Sequence, residues 1–281
     1  MVWIHGGAFI TESTSKDIYR GDVFAAEHPD VILVTIEYRL GIFGFVNYDQ
    51  LQGSQTGACN NGLKDQVAAL KWIKENISCF GGNNQNITIF GESAGAVSCS
   101  ILPVLDETKG LFYKAIIQSG VAPSQSVSPE ASAPIAQMLS QEFNASSLKD
   151  LQNVPVSDLI KIITAVNESG VPLGPQNDGI FIPQDVYNAY SDGKASDVNF
   201  LLGYNGTECT YFVPASKYNG EVGTENSFLA FMQNRYEVLK QFLSGEEIQE
   251  CDAYINSCGK TQAFAIEDLM TQLSFGNGAR Y

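Results

Sequence analysis

Histidine is the scarcest chemically versatile residue in this chain: there are two, His5 and His28, in 281 positions. Basic residues are also few, 16 against 31 acidic ones, for a formal net charge of -15. So acidic a chain, without a basic stripe, lacks the electrostatic footprint of a nucleic-acid binder. It is equally unsuited to anionic membrane surfaces. No apolar run approaches the ~18 residues that a membrane span requires. Met1 leads directly into Val2-Trp3-Ile4-His5, without the basic start and apolar core of a secretory leader. The six cysteines form no C-x-x-C pair, which argues against a zinc site. Cys251 and Cys258 are close enough in sequence to suggest a small disulfide, with free thiols as the alternative. Sequons begin at Asn76, Asn86, Asn144, Asn167 and Asn205, at a density that chance alone supplies in an Asn-rich chain, so they do not fix the compartment. Internal repeats and low-complexity tracts are absent too.

What is present reads as a layered α/β protein. Short apolar runs at 2–4 (VWI), 31–38 (VILVTIEY), 87–90 (ITIF), 114–120 (KAIIQSG) and 198–205 (VNFLLGYN) have the character of strands buried on both faces. Between them, Gly62 to Ile77 carries Leu63, Val67, Leu70, Ile73 and Ile77 at helical spacing, with Lys64, Asp65, Lys71, Lys74 and Glu75 on the other side. This alternation predicts a mostly parallel, doubly wound sheet. From about 124 to 175, and again from about 225 to 273, the spacing turns helical, which predicts two helical insertions. No clean linker divides the chain, so the sequence predicts a single domain over 1–281.

The chemistry centres on Gly91-Glu92-Ser93-Ala94-Gly95, which follows the ITIF strand and precedes a small-residue helix. A serine between two glycines at a strand-to-helix turn is lifted clear of the sheet, with the helix N-terminus behind it to favour developing negative charge. Ser93 is the candidate nucleophile; the alternative is a Gly-Ser turn that only packs a helix on the sheet. Acyl transfer also needs donors for an oxyanion. His5-Gly6-Gly7-Ala8-Phe9, directly after the first strand, can supply backbone N–H groups, joined by that of Ala94; the alternative is a plain Gly-Gly turn.

These segments together resemble the type-B carboxylesterase/lipase family of α/β-hydrolases, which includes the cholinesterases. The matching stretches are MVWIHGGAF, VILVTIEYRLGIFGF, NNGLKDQVAALKWIKENISCFGG, ITIFGESAGAVS, Asn177 to Pro183 and Leu202 to Glu208. The resemblance implies an α/β-hydrolase fold and a carboxylic ester substrate attacked by Ser93, with no metal or organic cofactor. It implies Glu208 as the acid of the catalytic triad. Gly7, Ala8 and Ala94 would supply the oxyanion hole, with Gly6 shaping its turn, and Glu92 would be a buried carboxylate lining the pocket. Taken alone, Glu208 is a carboxylate just past a strand end, and a solvated loop acid is the alternative. Cys209 stands where the family usually has glycine.

A serine hydroxyl needs an adjacent base, and α/β-hydrolases supply it in the chain order Ser, Asp or Glu, His. Both histidines here precede Ser93. His5 belongs to the oxyanion turn, and His28 lies before a strand, at the far end from the site. The resemblance therefore implies either an internal piece of a longer esterase, with further strands before VWIHGG and the histidine beyond Phe275 to Gly278, or a member without the base that serves for binding or adhesion. The first is the expectation, together with weak or no activity for these 281 residues alone.

Overall fold

The computed structural model describes residues 1–52, 59–122, 126–130, 132–168, 171, 173–208, 229, 232–234, 236–237, 240, 244–260 and 262–273. They fall into two compact units, Met1–Leu202 and Gly203–Tyr281.

The first unit is built on a sheet of five strands: β1 (Val2–Ile4), β2 (Val34–Ile36), β3 (Thr88–Glu92), β4 (Lys114–Gln118) and β5 (Asn199–Gly203, of which residues 199–202 lie in this unit). Their order is β2-β1-β3-β4-β5. The β1–β2, β1–β3 and β3–β4 pairings are parallel. Each predicted strand is found, but β2 is much shorter than the apolar run 31–38. Its only recorded ladder is against the three residues of β1, with Val34, Thr35 and Ile36 facing Val2, Trp3 and Ile4. Val31, Ile32 and Leu33 have no ladder partner among the described residues, and apolar character alone does not make a strand. They pack instead: Leu33 lies against Gly21 and Ile32 against Gly82.

The helices are α1 (Asp22–Glu27), α2 (Gly41–Phe45), α3 (Asp49–Gln52), α4 (Asn61–Asn76), α5 (Ala94–Ile101), α6 (Ala133–Phe143), α7 (Leu148–Gln152), α8 (Val156–Glu168) and α9 (Val186–Ser191). The predicted helix at 62–77 is α4, which buries Leu63, Val67, Leu70 and Ile73 as its spacing requires. Gln66 is buried on the same face, and its amide donates to Ser98 Oγ of α5 (3.1 Å). Ser98 Oγ in turn donates to the carbonyl of Ala94 (3.1 Å), so α4 is tied to the first turn of α5. All eight residues of α5 are buried. The first predicted insertion appears as α6 to α8.

In the second unit, α10 (Gly245–Ser257) starts with a capping box between Ser244 and Glu247. With α11 (Gln262–Thr271) and parts of 229–240, it closes a small core around Met232, Tyr236, Ile255, Ile266 and Met270. Cys251 and Cys258 are free thiols. Seven helical residues put them about 10 Å apart along the axis, beyond the ~7 Å that a disulfide spans. Cys209 and Phe275 to Gly278 lie outside the described residues. Among the described residues no helix is long and apolar enough to cross a membrane.

Backbone contact at the sheet centre gives the sharpest stability test. A Cβ on Gly95 would sit 2.0 Å from the Ile4 carbonyl oxygen, whereas one on Gly206 meets nothing within 4 Å. Gly95→Ala is expected to destabilise by more than ~2 kcal/mol and Gly206→Ala by less than ~0.5 kcal/mol in urea titrations.

Candidate active site

Strand order fixes where a site can form. In an order of 2-1-3-4-5 the connections diverge between β1 and β3, leaving a crevice at the carboxyl ends of those two strands. The turn after β1 is His5-Gly6-Gly7-Ala8, and the turn after β3 is Glu92-Ser93-Ala94. The topology thus brings together the two segments that the sequence singles out.

Ser93 sits at φ 55°, ψ −122°, a conformation that side chains rarely adopt, between the end of β3 and the start of α5. The surroundings hold it there. Its N–H donates to the Gln118 carbonyl at the end of β4 (2.9 Å), and its carbonyl accepts from Val97 N–H (3.0 Å). The glycines around it, Gly91 ahead of it and Gly120 after β4, are required by space. A Cβ on Gly91 would lie 2.6 Å from the Gly95 backbone and 2.7 Å from the Ile4 oxygen, and one on Gly120 would lie 2.4 Å from the Ser93 oxygen.

Gly6 is buried against this turn. A Cβ there would be 2.9 Å from the Glu92 carbonyl oxygen, 3.1 Å from Glu92 Oε2 and 3.3 Å from Ser93 Cβ. Gly7 (φ 95°), Ala8 (φ 54°) and Phe9 (φ 61°) then follow in the left-handed region, and the Gly7 carbonyl closes the turn by accepting from Ile10 and Thr11 N–H, both at 3.0 Å. Among the described residues, no hydrogen bond engages the N–H of Gly7, Ala8 or Ala94. Free backbone donors beside a half-buried serine are the raw material of an anion-stabilising site.

Glu92 differs from its expected state. It is exposed at the end of β3, although its Oε2 lies against the turn at Gly6. Glu208 belongs to the second unit. There its Oε1 accepts from the backbone N–H of Asn205 (2.6 Å) and from the Asn205 side-chain amide (3.1 Å), which braces the carboxylate in its loop.

Neither histidine is placed as a base. His5 is fully buried, stacked on Tyr38 with ring centroids 4.4 Å apart, and its Nδ1 bonds the Gly6 carbonyl at 2.9 Å. His28 caps the C-terminus of α1 and lies ahead of the edge strand β2, on the side where strands begin, whereas Ser93 follows the carboxyl end of the central strand β3.

One cluster escaped the reading of the residues. Asn60, in the left-handed conformation before α4, accepts from Gln176 N–H (2.8 Å) and donates to the Gln176 carbonyl (2.9 Å) and to Asp178 Oδ2 (3.0 Å). Asp178 Oδ1 accepts from the N–H groups of Ile180, Phe181 and Ile182, and Oδ2 also accepts from the Cys59 thiol at 3.0 Å. Burial raises the Asp178 pKa, but the thiol and the three N–H donors outweigh it, and the carboxyl ends below its ordinary value. Its contribution to stability is therefore present above the unfolded carboxylate pKa of ~3.9 and is lost as pH falls through the lower folded value. Burial and the neighbouring Asp178 push the Cys59 thiol up to about 12.

A family model described as the carboxylesterase family matches residues 1–279. Para-nitrobenzyl esterase of Bacillus subtilis (strain 168) is 38% identical over 228 residues, covering 79% of this chain and 46% of that protein. Acetylcholinesterase of Leptinotarsa decemlineata is 36% identical over 230 residues, covering 76% of this chain and 36% of that one. The crystal structure of carboxylesterase EST55 of Geobacillus stearothermophilus superposes with a TM-score of 0.84 at 32% identity, covering 99% of this chain and 57% of that one. The fold is that of an α/β-hydrolase. The chain belongs to the carboxylesterase family. It spans about half the length of the esterases it matches.

The Asp178 cluster makes two checkable statements. At pH 8 Cys59 is expected to resist iodoacetamide while exposed Cys79 is alkylated, as read by peptide mass spectrometry. Asp178→Ala strands several donors and should cost at least ~2 kcal/mol in denaturant titration.

Proposed function

We propose that this chain carries the nucleophile half of a carboxylic ester hydrolase acting through a serine acyl-enzyme. The observation that carries the reading is the packing of Gly6 on Ser93, a serine in a forced backbone conformation, with no hydrogen bond among the described residues engaging the N–H groups of Gly7, Ala8 and Ala94. The ester carbonyl lies over Ser93, its carbon open to Ser93 Oγ and its oxygen directed to Gly7, Ala8 and Ala94 N–H. As Oγ attacks, its proton passes to the histidine base and a tetrahedral oxyanion forms that these donors stabilise; the base then gives that proton to the departing alcohol, leaving the acyl group on Ser93. Water then releases the acid. Glu208, held by Asn205, is the acid that orients a histidine; Glu92, exposed at the strand tip, faces the approach to Ser93. No residue of this sequence takes the place of the base, since His5 is committed to the oxyanion turn and His28 precedes β2, at the end of the strands away from Ser93.

The relatives' names support an ester substrate, and the full coverage by one family model supports reading both units as parts of a single incomplete hydrolase domain. A second reading, a hydrolase fold used for binding or adhesion, draws on one fact: both histidines precede Ser93. The two are separated by turnover of short p-nitrophenyl esters by the full-length protein. Hydrolysis that falls at least ~10³-fold in Ser93→Ala supports the esterase, and equal rates for both proteins refute it. The 281 residues alone should keep no more than the ~10³–10⁴-fold advantage over water that binding and an oxyanion hole provide without a base.

A further inference from the structure

His5 and Tyr38 make no contact with the proposed substrate position, yet both grip the turn beside it. The Gly6 carbonyl oxygen can only accept, so the 2.9 Å bond requires a proton on His5 Nδ1. The other ring nitrogen, Nε2, makes no hydrogen bond and faces Glu37 Oε2 at 3.5 Å. The Tyr38 hydroxyl donates to the carbonyl of His5 itself (2.7 Å). Burial raises the Tyr38 phenol pKa well above its ordinary value, so this hydroxyl stays a donor across the working pH range. The two stacked rings thus hold two consecutive carbonyls, those of residues 5 and 6.

A peptide unit is planar and trans, so its C=O and N–H point in opposite directions. The unit whose carbonyl His5 holds is the one whose N–H belongs to Gly7. The unit before it, held by Tyr38, sets the position of Gly6, whose α-carbon packs against Glu92 and Ser93. Gly6 and Gly7 have no side chain of their own to fix these planes, and in an unclamped Gly-Gly pair the 6–7 peptide turns with little resistance.

We infer that His5 and Tyr38 are positioning residues: together they fix the orientation of the 6–7 peptide and so aim the Gly7 N–H at the oxyanion, an inference that rests on reading Ser93 as the nucleophile. A histidine in this turn serves here as a tautomer-specific hydrogen-bond donor, not as a base. It also explains why a fully buried imidazole is kept where an aliphatic side chain would pack with less polar surface to satisfy.

The test combines spectra and kinetics on the full-length protein. In ¹⁵N-histidine spectra His5 should show a proton on Nδ1, and the Gly7 amide resonance should shift in Tyr38→Phe and His5→Phe. In His5→Asn, whose amide nitrogen can occupy the place of Nδ1, it should stay near wild type. With a p-nitrophenyl ester, Tyr38→Phe and His5→Phe should lower kcat by about 10- to 100-fold with KM within about twofold, and His5→Asn should recover most of the loss. An Nε2–H tautomer overturns the inference. So does an unmoved Gly7 resonance, or equal kcat losses in His5→Asn and His5→Phe. Tyr38→Phe keeps the ring and its stacking, so it reports on the hydroxyl even if a His5 variant does not fold. If the spectra behave as expected but wild type turns over no ester, the esterase reading fails while the clamp on the 6–7 peptide stands.

Discussion

Everything proposed for this chain depends on how closely three pieces of backbone approach one another: the end of β1, the end of β3 and the first turn of α5. Gly91 and Gly95 let the Ile4 carbonyl come within a distance that no Cβ permits, and Gly6 lets the turn after β1 lie on Ser93. That contact accompanies the serine's φ of 55° and lays the turn after β1 against it. The surrounding packing supplies the rigidity. Leu63, Leu70, Ile89 and Ile101 are fully buried, and each such side chain contributes roughly 1.5–3 kcal/mol. Against such a core, one forced backbone conformation, which costs about 1–3 kcal/mol, is sustainable.

The features legible in the sequence were local ones. A serine between glycines after ITIF announces an elbow because the strand, the turn and the helix occupy consecutive residues. The spacing of Leu63, Val67, Leu70 and Ile73 announces α4 for the same reason. Strand length was not local: Val31 to Leu33 have the apolar character of β2, but a ladder needs a partner, and β1 offers only three residues. The exposure of Glu92 likewise depends on where a strand ends relative to the layers around it.

The polar network was hidden because its members are far apart in the chain. Asn60 meets Gln176 and Asp178 across more than a hundred residues, and Tyr38 reaches back to His5 across thirty-three. Residue type gave some signal. An asparagine is among the few residues that tolerate the left-handed conformation, and a histidine beside a Gly-Gly pair is an expensive choice for a plain turn. What those residues bond to required the fold.

The most direct test of the oxyanion arrangement is a crystal structure of the full-length protein after reaction with a small phosphonate ester, whose tetrahedral phosphorus mimics the acyl-transfer intermediate. The account predicts phosphorus bonded to Ser93 Oγ and its phosphoryl oxygen about 3 Å from the N–H groups of Gly7, Ala8 and Ala94. An adduct on another residue, or a phosphoryl oxygen turned to solvent with those three donors left empty, would contradict it.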